Sequence, residues 1–207
     1  MKPAPDDPNG VAGEPALADA PAAGAARAER AAWLADQWDS APRSPRLGRC
    51  LLLALAAGPF AAVCALLREP SAPTLLTIAG APVAEELAKA AAALMVLEKK
   101  PWFFPGAATL VALCAFSGFV FAGIENALYL FVYIDDPSPG IVLWRLVVCT
   151  SLHVVCAAVS GFGLARVWRC AARERAMPRL SLATPFLVAA ILIHALYNLA
   201  ATFLSIR

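Results

Sequence analysis

Glu85 and Glu86 stand side by side, with Lys89 one helical turn further on. Glu125 is followed by Asn126, and the chain's only two histidines are His153 and His194, the latter four residues before Asn198. Two adjacent carboxylates in a low-dielectric site cannot both carry full charge easily, which leaves one of them poised as a base. A further glutamate, two imidazoles and an amide supply either a metal shell or a water-activating acid pair with groups to steady an oxyanion. Both arrangements hydrolyse amides. The HExxH spacing of the standard zinc peptidases does not occur.

These groups lie in unusual surroundings. Of 207 residues, 60% are apolar and only 15% charged, against about 45–50% and 25% in soluble domains. The mean hydropathy is +0.67. From Cys50 onward, long apolar runs carry few charges, which excludes a soluble globular protein. A net charge of +2 with no concentrated basic face excludes a nucleic-acid binder. A membrane crossing needs about 20 apolar residues. Five segments qualify, at 49–67, 74–97, 107–134, 141–165 and 182–204. The expected architecture is therefore an all-α integral membrane protein, a bundle of about five transmembrane helices over residues 47–207.

Lys and Arg set the orientation. Arg43, Arg46, Arg49, Lys99, Lys100 and the arginines between 166 and 179 share the side of the N-terminal tail, whereas Arg68 and Arg207 fall on the other. The positive-inside rule then puts the N-terminus in the cytoplasm, in a multi-pass protein of the plasma or inner membrane. Arg145, one turn inside the fourth span, is expected to snorkel outward. Residues 1–46 lack the apolar core of a signal peptide and form a polar tail, disordered to about residue 26. A surface helix is expected near 28–40, where Ala31, Leu34 and Trp38 share a face. The six cysteines form no CxxC pair and read as packing residues.

Within the spans, Glu85, Glu86, His153 and His194 fall at mid-helix, and Glu125 about 6 Å outward of its midpoint. Each charge at that depth costs on the order of 2.5–3.5 kcal/mol, so three carboxylates and a lysine cost about 10 kcal/mol unless they meet inside the bundle. Spacing favours a meeting. Glu85 and Lys89 share a face at i, i+4. Gly118, Ala122 and Glu125 line one stripe, and His153, Ala157 and Gly161 another, with small residues that allow close helix approach. His194 and Asn198 point together.

The motifs are those of a known family. Glu85-Glu86-x-x-Lys89, Phe121-x-x-x-Glu125-Asn126, His153 with Gly161 downstream, and His194-x-x-x-Asn198 come in order on successive helices. Over residues 74–200 the chain resembles the PrsW intramembrane proteases, relatives of the CAAX-prenyl endopeptidase and Abi group. The resemblance implies an endopeptidase within the bilayer acting on a membrane protein, of which single-span regulators such as an anti-sigma factor are the family's known kind. It implies Glu85, Glu86, Glu125, His194 and Asn198 as catalytic: Glu85 activating water with help from Glu125, and His194 and Asn198 steadying the oxyanion. If the site is zinc-dependent, Glu85, Glu125, His153 and His194 hold the metal and Glu86 is the base. Two other classes share these features, a proton-coupled transporter and an inactive relative that binds membrane proteins. The five spans show no inverted-repeat pairing of interrupted helices, the usual mark of the former.

Overall fold

The computed structural model describes residues 21–41, 47–56, 59, 60, 63 and 80–203. Among these, every regular element is helical. Helix α1 runs Pro21–Asp39, α2 Leu47–Leu55 and α3 Ala81–Lys99. Helix α4 spans Ala107–Tyr133, α5 Pro139–Glu174 and α6 Thr184–Phe203, the last entered through a short 3-10 turn at Leu180–Ala183. Three stretches, Ala107–Tyr133, Pro139–Glu174 and Leu180–Phe203, are long and apolar enough to cross a membrane. The later part of the first expected crossing, residues 64–67 with 57, 58, 61 and 62, and the start of the second lie outside the described residues, as does the tail before Pro21. The surface helix expected from residue 28 begins earlier, at Pro21.

The burial pattern is that of a protein solvated by lipid. Phe131, Leu143, Leu192, Leu196 and Phe203 are exposed, whereas Glu85, Glu86, Lys89, Glu125, His153 and His194 are buried. The interior divides into two storeys. At the end carrying Lys99, Lys100 and Arg166–Arg179, an apolar core joins Cys50 and Ala54 of α2, Ala93 and Leu97 of α3, Phe104, Leu110 and Leu113 before and on α4, and Leu164 and Val167 of α5. The other storey holds the ionisable groups. The described cysteines are free thiols; Cys50, Cys114, Cys149 and Cys156 are buried as small packing residues.

Helix α1 docks on the basic end through tryptophan. Trp33 and Trp38 meet the edge of Trp102 at 5.6 and 6.3 Å, and Trp38 meets Trp168 at 6.0 Å. The Trp38 indole N–H donates to the Ala176 carbonyl, and Arg175 pairs with Asp39. Leu34 and Gln37 are buried beneath it, while Ala31 is exposed. Helix α5 starts on Ser138, whose hydroxyl accepts from Ile141 N–H, with Pro139 in the first turn where its missing donor costs nothing. It ends at Arg175 in the left-handed region (φ 48°), and the Ala176 N–H closes back on the Ala171 carbonyl.

Helices α4 and α5 run antiparallel at close range, and two glycines allow it. A Cβ on Gly118 would lie 2.5 Å from the His153 carbonyl oxygen and 2.7 Å from Ala157 Cβ. One on Gly161 would lie 2.9 Å from Val111 Cα. The stripes expected from spacing thus interlock, and His153 is brought within reach of Glu125. Gly118→Ala is expected to destabilise the bundle by about 1–3 kcal/mol, the cost of overpacking against backbone. Thermal unfolding in detergent micelles measures it; an unchanged midpoint would show that the helices can part at no cost.

Candidate active site

Four helices each contribute a buried ionisable group to one cluster. Helix α3 carries Glu85, Glu86 and Lys89 within its first turns, after Pro82. Helix α4 brings Glu125 and Asn126, α5 brings Arg145 and His153, and α6 brings His194. Glu85, Glu86, Lys89, Glu125, Asn126, His153 and His194 are all at most 5% exposed. At that burial an unsatisfied charge would cost several kcal/mol, so the partners decide whether the cluster can exist.

One half of the cluster is organised by Glu86. Its Oε1 accepts from Lys89 Nζ at 2.6 Å and lies 2.8 Å from His194 Nδ1. Lys89, expected to neutralise part of the acidic pair, does so on Glu86 at i+3. The ammonium also sits 4.7 Å from the centre of the Phe121 ring, and Ser117 ties the Lys89 carbonyl to α4 at 2.7 Å. With Nδ1 engaged by Glu86, His194 turns Nε2 toward Glu85, 3.6 Å from its Oε2.

The other half is organised by Glu125. Its Oε2 lies 2.8 Å from His153 Nε2 and 3.6 Å from Arg145 Nη2. Arg145 Nε donates to Asn126 Oδ1 at 3.1 Å, and its guanidinium stacks 3.6 Å from the centre of the Tyr129 ring. Asn126 Nδ2 in turn donates to the Arg145 carbonyl and to Thr150 Oγ1, both at 3.0 Å. Arg145 therefore points inward, against the expectation that it would snorkel. The reason is local: residues Arg145–Cys149 form a π turn, which rotates the start of α5 relative to a regular helix. A matching π turn, Tyr129–Tyr133, closes α4 opposite it. The insertion cost that singled out the glutamates applies equally to Arg145, and is the signal that identifies it. Beyond the cluster, Tyr197 links α6 to α5, accepting from Trp144 Nε1 at 2.8 Å and lying 3.0 Å from Cys149 Sγ.

The two halves meet at the imidazoles, whose ring centres are 5.0 Å apart and nearly perpendicular. A carboxylate oxygen of Glu85 and one ring nitrogen each of His153 and His194 lie within 4.8 Å of one another. Glu125 is not in that trio; it engages His153 Nε2 from the side. His153 Nδ1 is buried with no hydrogen-bond partner, an orphan that a cation would satisfy. Two imidazoles and a carboxylate are donors suited to zinc. The carboxylates on the far nitrogen of each ring are the outer-shell partners that fix the orientation of metal-bound histidines. The residues present fit a metal. Asn198, one turn past His194, is half-buried.

A family model, the PrsW family intramembrane metalloprotease, matches residues 47–206. The chain belongs to the PrsW family. It is thus a peptidase of the membrane, and the match extends over α2, ahead of the motif-bearing helices. No curated protein and no solved structure is a match. The family's description as metalloproteases accords with the Glu85, His153 and His194 grouping.

Removing Lys89 would leave Glu86 as an uncompensated buried carboxylate. Lys89→Met is expected to cost about 3–5 kcal/mol, and adding Glu86→Gln should recover part of it. A double-mutant cycle by denaturant unfolding in micelles measures the coupling; strictly additive effects would count against the pair.

Proposed function

We propose that this PrsW-family peptidase cleaves a peptide bond of a membrane-protein substrate with Glu85, His153 and His194 holding a catalytic zinc ion. The observation that carries the reading is the convergence of three donor atoms within 4.8 Å, each histidine backed by its own carboxylate. A bound zinc polarises the scissile carbonyl and makes water a stronger acid. The remaining roles belong to the chain. Glu86 and Glu125 hold His194 and His153 in a fixed orientation through Nδ1 and Nε2. Lys89 and Arg145 keep those two carboxylates in place, so the rings do not swing when substrate enters.

The proton lost by water needs an acceptor inside the pocket. Glu86 spends Oε1 on Lys89 and His194, and its Oε2 is buried with no hydrogen-bond partner. That oxygen is the base, and it returns the proton to the leaving amine. Asn198, on the His194 face, is the donor to the oxyanion. Sealing by lipid-facing leucines and phenylalanines keeps bulk water out and strengthens each of these interactions. The Lys and Arg distribution supports a cytoplasmic N-terminus in a multi-pass protein of the plasma or inner membrane. The substrate is a membrane protein, with single-span regulators of the anti-sigma type the class the family resemblance supplies.

Elemental analysis of protein purified in detergent should give near-stoichiometric zinc, lost in Glu85→Gln, His153→Ala and His194→Ala. Glu86→Gln and Glu125→Gln should retain metal with affinity weakened about 10–100-fold. Zinc-loaded Glu86→Gln should cleave a doubly tagged single-span reporter about 10²–10⁴ times more slowly than the wild type. Full activity without metal, or metal content indifferent to His194, would overturn the assignment.

A further inference from the structure

Between the apolar core and the ionisable cluster lies a cavity of about 230 Å³. Its walls come from the helices that carry Glu85, Glu86, His153 and His194: Ala90 and Leu94 of α3, Ser160 and Leu164 of α5, and Leu187 of α6, with the 3-10 turn forming its rim. Ser181 and Thr184 also line it and are exposed, so the mouth is polar and faces the basic end. Ala90 follows Glu86 by one helical turn. Ser160 follows His153 by seven residues, or about 10.5 Å along the helix. An extended peptide at about 3.3 Å per residue covers that distance with about three residues.

Volume narrows the occupant. A cavity of about 150 Å³ holds a benzene-sized group, and sites for free small molecules run to roughly 300–1,000 Å³. The space here lies between them, which suits one large side chain. Ser160 supplies a second, independent observation: it is 4% exposed, and its buried Oγ has no hydrogen-bond partner. A buried hydroxyl without a partner costs about 1–3 kcal/mol. A hydrocarbon chain would leave that cost in place, whereas a polypeptide brings a backbone carbonyl with its side chain.

We propose that this cavity is a specificity pocket, receiving a large apolar side chain of the substrate about three residues from the cleaved bond while Ser160 donates to the substrate backbone. The assignment rests on the peptidase reading above, and it is tested by binding as well as by cleavage. The binding arm uses the inert Glu85→Gln protein in nanodiscs with two probes, N-acetyl-phenylalanine amide and N-acetyl-alanine amide. The phenylalanine probe should bind about tenfold or more tightly than the alanine probe. Ala90→Phe and Leu187→Trp fill the cavity from different helices, so one serves where the other fails to fold; each should abolish the preference. Ser160→Ala should weaken both probes. Equal binding of the two probes, or a preference that survives both filling variants, overturns the pocket.

The cleavage arm uses a peptide library from a digested proteome, with products read by mass spectrometry. Wild type should favour Phe, Leu or Met at one position about three residues from the cut, and Ala90→Phe should shift that position to small residues. Cleavage with no such position overturns the proposal. No cleavage by the wild type under zinc, with selective binding intact, instead removes the peptidase reading and with it the substrate role, leaving the cavity as a binding site for an apolar group.

Discussion

Charge inside a lipid-solvated bundle must be answered by charge or by hydrogen bonds from the same bundle, because the surroundings offer neither. In this protein that constraint links four helices through one cluster of buried ionisable side chains. Glu86 needs Lys89 and His194; Glu125 needs His153, Arg145 and, through Arg145, Asn126. No helix can leave without stranding a partner. Three carboxylates face one ammonium and one guanidinium, an excess of one negative charge when the imidazoles are neutral. That is the sign a cation site requires.

The apolar storey gives the cluster its precision. Glycine contacts at Gly118 and Gly161 hold α4 and α5 at backbone distance, and the His153 carbonyl is itself part of that contact. The ring is thereby fixed from behind by packing and from the side by Glu125. Phe121 contributes twice, against the His153 ring at 5.4 Å and under the Lys89 ammonium at 4.7 Å. A site built in this way resists small displacements, since moving any one side chain disturbs a packed neighbour as well as an ion pair.

The sequence made the membrane class and the chemistry-bearing residues legible, because hydropathy and insertion cost act locally on each residue. Glu85, Glu86, Glu125, His153 and His194 could be picked out singly on that ground, and the small-residue stripes indicated which helices would touch. Partner choice was less legible. Lys89 at i+4 from Glu85 and i+3 from Glu86 satisfies both spacings, and only the position of His194 on another helix decides which carboxylate it completes. The inward turn of Arg145 follows from the π turn Arg145–Cys149, which helical periodicity in the sequence does not reveal. The placement of Glu125 beside His153, outside the donor trio, depends on the α4–α5 register, which spacing within one helix cannot supply. Ser160 carried no signal at all, since a serine among apolar residues is ordinary until the space beside it is known.

Four of the five tryptophans, Trp33, Trp38, Trp102 and Trp168, crowd together where α1 lies on the basic end. The fifth, Trp144, stands alone beside Tyr197 at the opposite storey. The molecule is therefore divided optically as well as chemically. Ultraviolet emission from its indoles reports overwhelmingly on the seating of the amino-terminal helix, and a single substitution at Trp144 would turn the whole signal into a gauge of that helix alone.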